Sequence, residues 1–294
     1  MKSDTIKGLG TALITPFKAD KSVDYEALAR LLDMQLSGSV DYIVVLGTTG
    51  EAATMTADEK REVRRFIVNH VHGRLPLVLG VGGNNTAAVC KELEDNKEEL
   101  VRDYAAVLSV CPYYNKPNQE GLFQHFCAVA EASPIPVILY NVPGRTGVNL
   151  LPETVMRIYE AQPEKIAGIK EASGNLEQIK RLINLSFNIQ HSTFNIISGD
   201  DGIACEVMEA GGAGLISVAS NAFPEDFHKI VHQKDAVLQA KYEQMVKLLF
   251  AEGNPVGIKA VLAQKGIIQN YLRLPLVPAS KELEEKIIRE IGVI

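Results

Sequence analysis

The chain has little of what several large classes of protein require. Its 294 residues carry 30 basic and 36 acidic side chains, a formal net charge of −6, so the basic excess typical of nucleic-acid binding is missing. No apolar run approaches membrane-spanning length, and residues 1–6 lack the apolar core of a signal peptide. We therefore expect a cytoplasmic protein that binds neither nucleic acid nor membrane.

Cysteine and histidine are also scarce, and their spacing is uninformative. The four cysteines show neither close pairing nor a metal-ligand spacing, so we expect reduced thiols. They are Cys90, Cys111, Cys127 and Cys205. His228 and His232 fall four apart and could share one helix face, but the glutamate of a zinc-protease motif is missing between them. We interpret this pair as solvated helix positions.

Short apolar runs recur along the first three quarters of the chain. Most are separated by about thirty residues, the length of a strand, a helix and two loops. About eight such units in one chain favour a closed barrel over an open doubly wound sheet, and no GxGxxG turn follows the first run. The runs are 9–15, 42–46, 77–81, 106–110, 137–141, 166–170, 195–198 and 214–218.

Helix-start signals follow several of these runs. Asp24 precedes one helical segment, Thr56 opens another with Glu59 at the capping-box position, and Pro152 starts a third. The fold predicted is α/β, an eight-stranded parallel (β/α) TIM barrel.

The end of the chain has a different composition. After residue 223, strand-like runs largely cease, and the helical pattern is broken only at 253–255 and 274–278. We predict a barrel over residues 1–223 and a C-terminal helical extension over 224–294, packed on the barrel.

A lysine closes the sixth apolar run. Lys170 would lie at the carboxyl end of a buried strand, where active sites of such barrels are found. Burying an ammonium is costly, so this lysine is expected to be paired or to have its pKa lowered. An unprotonated amine is what Schiff-base chemistry on a ketone needs. A lysine that snorkels to solvent is the alternative.

Other strand ends carry polar side chains. Thr48 and Thr49 lie between two glycines, where hydroxyls and backbone N–H groups could receive a small carboxylate; an ordinary turn is the alternative. Tyr113 and Tyr114 could carry protons or simply pack a loop. Arg145 suits bidentate carboxylate recognition, or a surface salt bridge.

Two further strand ends bear on the chemistry. Tyr140 and Lys170 occupy equivalent ends of successive strands, so they should be neighbours, and the tyrosine could shuttle protons during carbinolamine formation. Asp200 and Asp201 could suggest a divalent metal, but two aspartates are a thin ligand set. We favour helix capping and loop bonding for them.

These motifs together resemble the dihydrodipicolinate synthase and N-acetylneuraminate lyase superfamily. The similarity rests on residues 47–51, 140–147 and 168–173 and extends in order over nearly the whole chain. The paired threonines and Arg145 resemble the dihydrodipicolinate synthase branch, since sialic-acid lyases usually have a serine–threonine pair and lack this arginine.

The resemblance implies a reaction and roles for its residues. Lys170 would form a Schiff base with pyruvate, and the resulting enamine would attack L-aspartate 4-semialdehyde. No metal or organic cofactor would be needed. A homotetramer of two tight dimers is expected. The implied roles are proton relay for Tyr140, Thr48 and Tyr114, the last from the neighbouring subunit, pyruvate binding for Thr49 and the main chain of Ile216, and semialdehyde binding for Arg145.

One departure from the family pattern concerns regulation by lysine. Inhibited members of the family typically have a glutamate and a histidine at the positions that match Ala88 and Lys60 of this chain. Alanine cannot pair with the incoming ammonium, and Lys60 would repel it. Weak or absent feedback inhibition is therefore predicted. The degenerate site would comprise Ala57, Lys60, Asn84, Ala88 and Tyr113.

Three other functions stay open at this point. A sister aldolase acting on sialic or keto-deoxy sugar acids would use the same lysine, although Arg145 argues against it. A non-catalytic pyruvate-binding protein on the same fold is a second alternative. A metal-dependent barrel aldolase would need histidines at the strand ends, and the motifs above contain none.

Overall fold

The computed structural model describes residues 6–187 and 194–294, and its eight strands form one closed barrel in chain order. The predicted TIM-barrel fold is confirmed. The strands are parallel where their pairing is described, and nearly every strand residue is buried, as expected when helices cover a parallel sheet. The strands are β1 (Gly8–Ala12), β2 (Tyr42–Val45), β3 (Leu77–Gly80), β4 (Ala106–Val110), β5 (Val137–Asn141), β6 (Ile166–Glu171), β7 (Asn195–Ser198) and β8 (Gly214–Ser217).

The helices begin where the sequence signals indicated. Asp24 caps the first helix by accepting from Ala27 N, and Thr56 with Glu59 forms a complete capping box on the second. The helices are α1 (Tyr25–Ser37), α2 (Ala57–Val71), α3 (Thr86–Asp95), α4 (Lys97–Asp103), α5 (Gln119–Ala132), α6 (Pro143–Thr146), α7 (Pro152–Ala161), α8 (Leu176–Phe187), α9 (Ala204–Glu209), α10 (Pro224–Gln233), α11 (Ala236–Phe250), α12 (Val256–Gln264) and α13 (Lys281–Ile291).

The chain divides into two compact units, and the first comprises residues 6–8 and 76–216. It contains β3 to β7, most of β8, and the helices between them. Its strands approach closely at Gly168 on β6, where an added Cβ would lie 2.1 Å from the carbonyl oxygen of Asn195. This position accepts no side chain without moving the neighbouring strand.

The second unit comprises residues 9–75 and 217–294. In it the C-terminal helices pack on the first two β/α segments. Arg30 on α1 donates to the carbonyl oxygen of Ile267, and within the extension Tyr242 on α11 donates to Asp226 on α10 at 2.6 Å. The predicted helical extension is thus present, with breaks between α11 and α12 and before α13 as expected. The domain boundary between residues 223 and 224 stays a prediction.

Two expectations from composition can be compared with the structure. Each of the four cysteines is a free thiol, as predicted, and Cys111 and Cys205 are buried. No helix in the described ranges is both long enough and apolar enough to cross a membrane.

Candidate active site

Lys170 is the second-to-last residue of β6, and it lies opposite Tyr140 on the neighbouring strand β5. Their Cα atoms are register partners, and Lys170 Nζ is 4.5 Å from the centroid of the Tyr140 ring. Both side chains are buried, with exposed fractions of 6% and 7%. The prediction that these residues are neighbours is confirmed, and the amine is held against an aromatic ring at the carboxyl end of the strand.

Gly199, just after β7, leaves room for the Lys170 side chain. A Cβ added at Gly199 would lie 2.9 Å from Lys170 Cε and 2.5 Å from Ala172 Cβ. The backbone of Gly199 donates to the carbonyl oxygen of Glu171 at 2.8 Å, which fixes the approach of the two strands. The stem of Lys170 is therefore packed in place, because glycine is the only residue that fits beside it.

Glu171, next to Lys170, is fully buried and is held by uncharged donors. Its carboxylate accepts from the amides of Asn141 at 2.8 Å and Gln178 at 3.0 Å and from the backbone N–H of Ser173 at 2.8 Å. Asn141 and Gln178 both also donate to Asn149, closing a network across β5, β6 and α8. Burial raises the pKa of the nearby Cys111 thiol, and the charge of Glu171 raises it further.

Arg145 is exposed on the short helix α6, directly after β5. Its backbone N–H donates to the carbonyl oxygen of Val142 at 2.9 Å, and Gly147 ends the turn with φ of 75°. The Lys116 side chain lies over this turn, since a Cβ on Gly147 would be 3.1 Å from Lys116 Cε. Lys116 is therefore a second cation on the turn that carries Arg145, and it was not predicted from the sequence.

The loop after β4 presents Tyr114 outward. Tyr114 is 89% exposed and has φ of 74°, a left-handed conformation that is strained for an aromatic residue. Asn84 supports the loop by donating to the carbonyl oxygen of Tyr113 at 3.1 Å. The structure thus brings together Asn84 and Tyr113. Ala88 lies on the first turn of α3, where its N–H donates to the capping side chain of Asn85.

The last strand ends of the first unit carry Asp200 and Ile216. Asp200 accepts from Gly202 N at 2.9 Å and caps a short 3-10 turn, so the predicted capping role is confirmed. Ile216 is buried within β8, where its main chain and not its side chain is the candidate group.

In the second unit, Thr48 and Thr49 form a 3-10 turn at the carboxyl end of β2. Thr48 is exposed, whereas Thr49 is buried. The residues that flank the Gly47–Gly50 stretch, Leu46 and Glu51, have φ of 55° and 53°. Left-handed conformations at non-glycine residues cost energy and are concentrated at functional sites, so this turn is held by its surroundings.

One such support is Asn254, which lies between α11 and α12. Its side-chain amide donates to Thr49 Oγ1 at 2.9 Å in a buried contact. Because this bond uses a lone pair of the Thr49 hydroxyl, the O–H proton remains available to donate to an anion. The C-terminal extension therefore orients one of the two candidate hydroxyls.

A second support is a buried ion pair between Glu51 and Lys259 on α12. Lys259 Nζ is 2.5 Å from Glu51 Oε1, and both side chains are essentially inaccessible to solvent. The same ammonium donates to the carbonyl oxygen of Tyr271 and lies 4.2 Å from the centroid of the Phe17 ring. Burial lowers the pKa of Lys259 to about 8, against the opposing effect of Glu51.

Arg273 completes this set of cations. Its backbone N–H donates to Glu51 at 3.1 Å, and its guanidinium makes a bidentate contact with Glu59 on α2. The hydrogen bond from Arg273 lowers the pKa of Glu59 to about 2. Ala57 begins the same helix, and Lys60 follows Glu59 on its first turns.

No role was predicted from the sequence for Glu51, Lys259, Asn254 or the amide network around Glu171. One local signal existed: a glutamate directly follows both Gly47–Gly50 and Lys170, at the end of an apolar strand. The partners could not be read from spacing, because Asn254 lies 205 positions after Thr49.

Comparison with known proteins shows the family of the chain. The model of the Dihydrodipicolinate synthetase family matches residues 5–292. A 4-hydroxy-tetrahydrodipicolinate synthase from Parabacteroides distasonis is 46% identical, with 99% of this chain and 97% of the relative covered; one from Phocaeicola vulgatus is 47% identical, with 96% and 94% covered. The crystal structure of a Thermotoga maritima dihydrodipicolinate synthase has a TM-score of 0.93 at 38% identity, with 99% of this chain and 100% of that chain covered. The predicted resemblance is confirmed, and the chain belongs to the dihydrodipicolinate synthetase family.

Proposed function

We propose that this chain condenses pyruvate with L-aspartate 4-semialdehyde through a Schiff base on Lys170, which is 4-hydroxy-tetrahydrodipicolinate synthase activity. The observation that carries the proposal is the buried Lys170 Nζ beside the Tyr140 ring at adjacent strand ends. Family membership and the names of the curated relatives agree with it. The product would enter diaminopimelate and lysine synthesis.

The chemistry begins at the amine. Lys170 Nζ adds to the ketone carbon of pyruvate, and loss of water from the carbinolamine leaves a protonated imine. The imine is an electron sink, so a methyl proton is lost and an enamine forms. The enamine attacks the aldehyde of the semialdehyde, and the substrate amine then displaces Lys170 as the ring closes.

The proton transfers are assigned to three hydroxyls. Tyr140 takes the central role because its ring already contacts the reacting amine. Thr48 and Tyr114 complete the relay in this proposal. Both are exposed in the described chain, so their hydroxyls are accessible to a ligand or a second copy.

Substrate carboxylates are assigned to hydroxyl, backbone and guanidinium donors. Thr49, with its acceptor side bonded to Asn254, would donate to the pyruvate carboxylate together with the main chain at Ile216. Arg145 would bind the semialdehyde carboxylate from its exposed turn. Arg145→Ala should therefore weaken use of the semialdehyde more than pyruvate condensation; equal loss of both steps would contradict this role.

The exposure of Tyr114 supports an assembly in which another copy covers it. We propose a homotetramer built from two tight dimers, with Tyr114 acting in the neighbouring subunit. Co-expression of Lys170→Ala with Tyr114→Phe chains tests this, because a mixed dimer would contain one site with both wild-type groups. Recovered turnover supports the proposal, and inactivity of an isolated mixed dimer contradicts it.

Two further properties belong to the proposal. Four free thiols are consistent with a reducing cytoplasm. Weak or absent inhibition by lysine is proposed, because Ala88 and Lys60 offer an ammonium no partner. A lysine titration of turnover tests this, and strong inhibition at micromolar lysine would refute it.

The test of the activity itself is a coupled assay with both substrates, following reduction of the product by the next enzyme of the pathway. Turnover that Lys170→Ala abolishes is the expected result. Turnover with N-acetylmannosamine in place of the semialdehyde would instead favour the sugar-acid aldolase.

A further inference from the structure

Two histidines and one aspartate meet in the second unit, and none of the three has a role in the proposed reaction. Asp41 directly precedes β2, whereas His228 and His232 lie on α10. The nitrogen and carboxylate oxygen atoms that these three residues offer all lie within 4.8 Å of one another. No other group of three such side chains was found in the described ranges.

The two histidines are arranged as a chelating pair. Four residues apart on one helix, they share a face, and their ring centroids are 4.2 Å apart with planes inclined by 31°. His232 Nε2 is 2.7 Å from Asp41 Oδ2. The expectation from sequence that both are merely solvated is therefore incomplete, because His232 has a carboxylate partner.

Two further observations concern the ligand atoms of Asp41 and His228. Leu9 N donates to Asp41 Oδ2 at 2.6 Å, which orients the carboxylate as an outer partner orients a metal ligand. His228 Nδ1 is buried and has no hydrogen-bond partner within the described structure. A buried ring nitrogen without a partner carries a desolvation cost, and coordination of a cation through Nδ1 would remove it.

We propose that Asp41, His228 and His232 form a structural site for a transition-metal ion of the Zn²⁺ type. Two imidazoles and one carboxylate suit Zn²⁺, Ni²⁺ or Cu²⁺, whereas Mg²⁺ and Ca²⁺ prefer all-oxygen ligands. The partly exposed side chains of His232 and Asp41 leave solvent access for entry of the ion and for a water ligand.

The position of the cluster indicates a structural role. Asp41 stands at the amino end of β2, and the candidate hydroxyls Thr48 and Thr49 follow its carboxyl end. In barrels of this type the chemistry occurs at the carboxyl end, so a bound ion would tie α10 to the start of β2 without entering the reaction.

The first test is equilibrium dialysis of the chelator-treated chain against Zn²⁺ alone, with bound metal counted per chain. One equivalent should bind, and His228→Ala or His232→Ala should weaken its affinity by at least about 10- to 100-fold, the loss usual when only an outer partner of a ligand is removed. His70→Ala is the matched control, because His70 Nε2 contacts Asp33 at the same 2.7 Å but has no second histidine in a ligand group. The control should bind Zn²⁺ as the unaltered chain does.

The visible spectrum of the Co²⁺-loaded unaltered chain provides a measurement that needs no variant. A spectrum of nitrogen-ligated Co²⁺ that is lost on adding Zn²⁺ supports the site, and the spectrum of aqueous Co²⁺ overturns it. Binding that His228→Ala and His70→Ala leave equally strong would mark an adventitious ion only and would also overturn the proposal. Turnover with both substrates should be the same with and without Zn²⁺.

Discussion

The two glutamates that directly follow the site motifs are both buried, yet the protein satisfies them by different chemistry. Glu171, after Lys170, accepts from two neutral amides and one backbone N–H. Glu51, after the Thr48–Thr49 turn, is paired with the ammonium of Lys259 and accepts from the backbone of Arg273. Each network fixes the end of a strand, but only the second uses a buried cation.

The difference follows from what each strand end has to do. Lys170 and Glu171 are consecutive residues of β6, so their side chains point to opposite faces of the strand, but a cation bound to Glu171 would still bring positive charge to the strand end where the protonated imine forms. Neutral donors satisfy the hydrogen bonds of the Glu171 carboxylate without adding that charge. The Thr48–Thr49 turn carries no amine of its own. Lys259 and Arg273 of the C-terminal extension can therefore hold Glu51, one of the two left-handed residues that flank the turn.

Removing the buried cation should have the largest effect on stability. Lys259→Met leaves Glu51 buried without its charge partner, and we expect a loss of about 3–5 kcal/mol in the free energy of unfolding. Urea unfolding followed by circular dichroism measures it. Lys247→Met, which breaks an exposed pair with Glu243, is the control and should cost less than about 1 kcal/mol. Similar losses for the two variants would contradict the importance of the buried pair.

Crowding the reacting lysine should affect activity more than stability. Gly199→Ala forces Lys170 Cε or Ala172 to move, and misplacing the amine by about 1 Å can cost up to about 100-fold in rate. The rate of pyruvate trapping by borohydride should fall accordingly. Gly144→Ala is the matched control, since an added Cβ there meets nothing within 4 Å. Unchanged trapping in Gly199→Ala would show that the lysine tolerates displacement.

Replacing Glu171 in its network of neutral donors should cost less unfolding free energy than breaking the Glu51–Lys259 ion pair. Glu171→Gln places an amide N–H₂ against donors from Asn141 and Gln178, and we expect a loss of about 1–3 kcal/mol in unfolding free energy. The same urea experiment measures it, with the exposed Glu177→Gln as control. A loss greater than that of Lys259→Met would reverse the ranking of the two networks.

The smallest effect concerns acid stability. Because Arg273 lowers the pKa of Glu59 to about 2 from an ordinary 4.5, the folded state gains stability that is present above pH 4.5 and lost as pH falls toward 2. In Glu59→Gln this acid-sensitive contribution is absent. Unfolding free energy should therefore decline less between pH 5 and pH 2.5 in the variant than in the unaltered chain. Parallel declines would contradict the role of this pair.

The strands could be predicted from sequence because burial on both faces makes them continuous apolar runs. The runs 106–110, 137–141 and 195–198 coincide with β4, β5 and β7. Tyr140 and Lys170 were predicted as neighbours because successive parallel strands bring their equivalent ends together. Local sequence patterns thus predict the strands of the barrel and the neighbouring positions of Tyr140 and Lys170.

The supports of the site could not be predicted, since they depend on contacts between distant segments. Lys259 reads as one more residue of an apolar helix, and nothing near it in sequence indicates Glu51 as its partner. The sequence around His232 likewise does not indicate Asp41 as its partner, because the two residues are 191 positions apart. In the structure His232 Nε2 lies 2.7 Å from Asp41 Oδ2. The fold has to be complete before either pair exists.

The central claim is that Lys170 forms a Schiff base with pyruvate. The most direct test is borohydride reduction in the presence of pyruvate, followed by mass spectrometry of the proteolysed chain. We expect the mass of the reduced pyruvate adduct on the peptide that contains Lys170 and no adduct in Lys170→Ala. An adduct that forms normally in Lys170→Ala would place the chemistry on another amine and contradict the account.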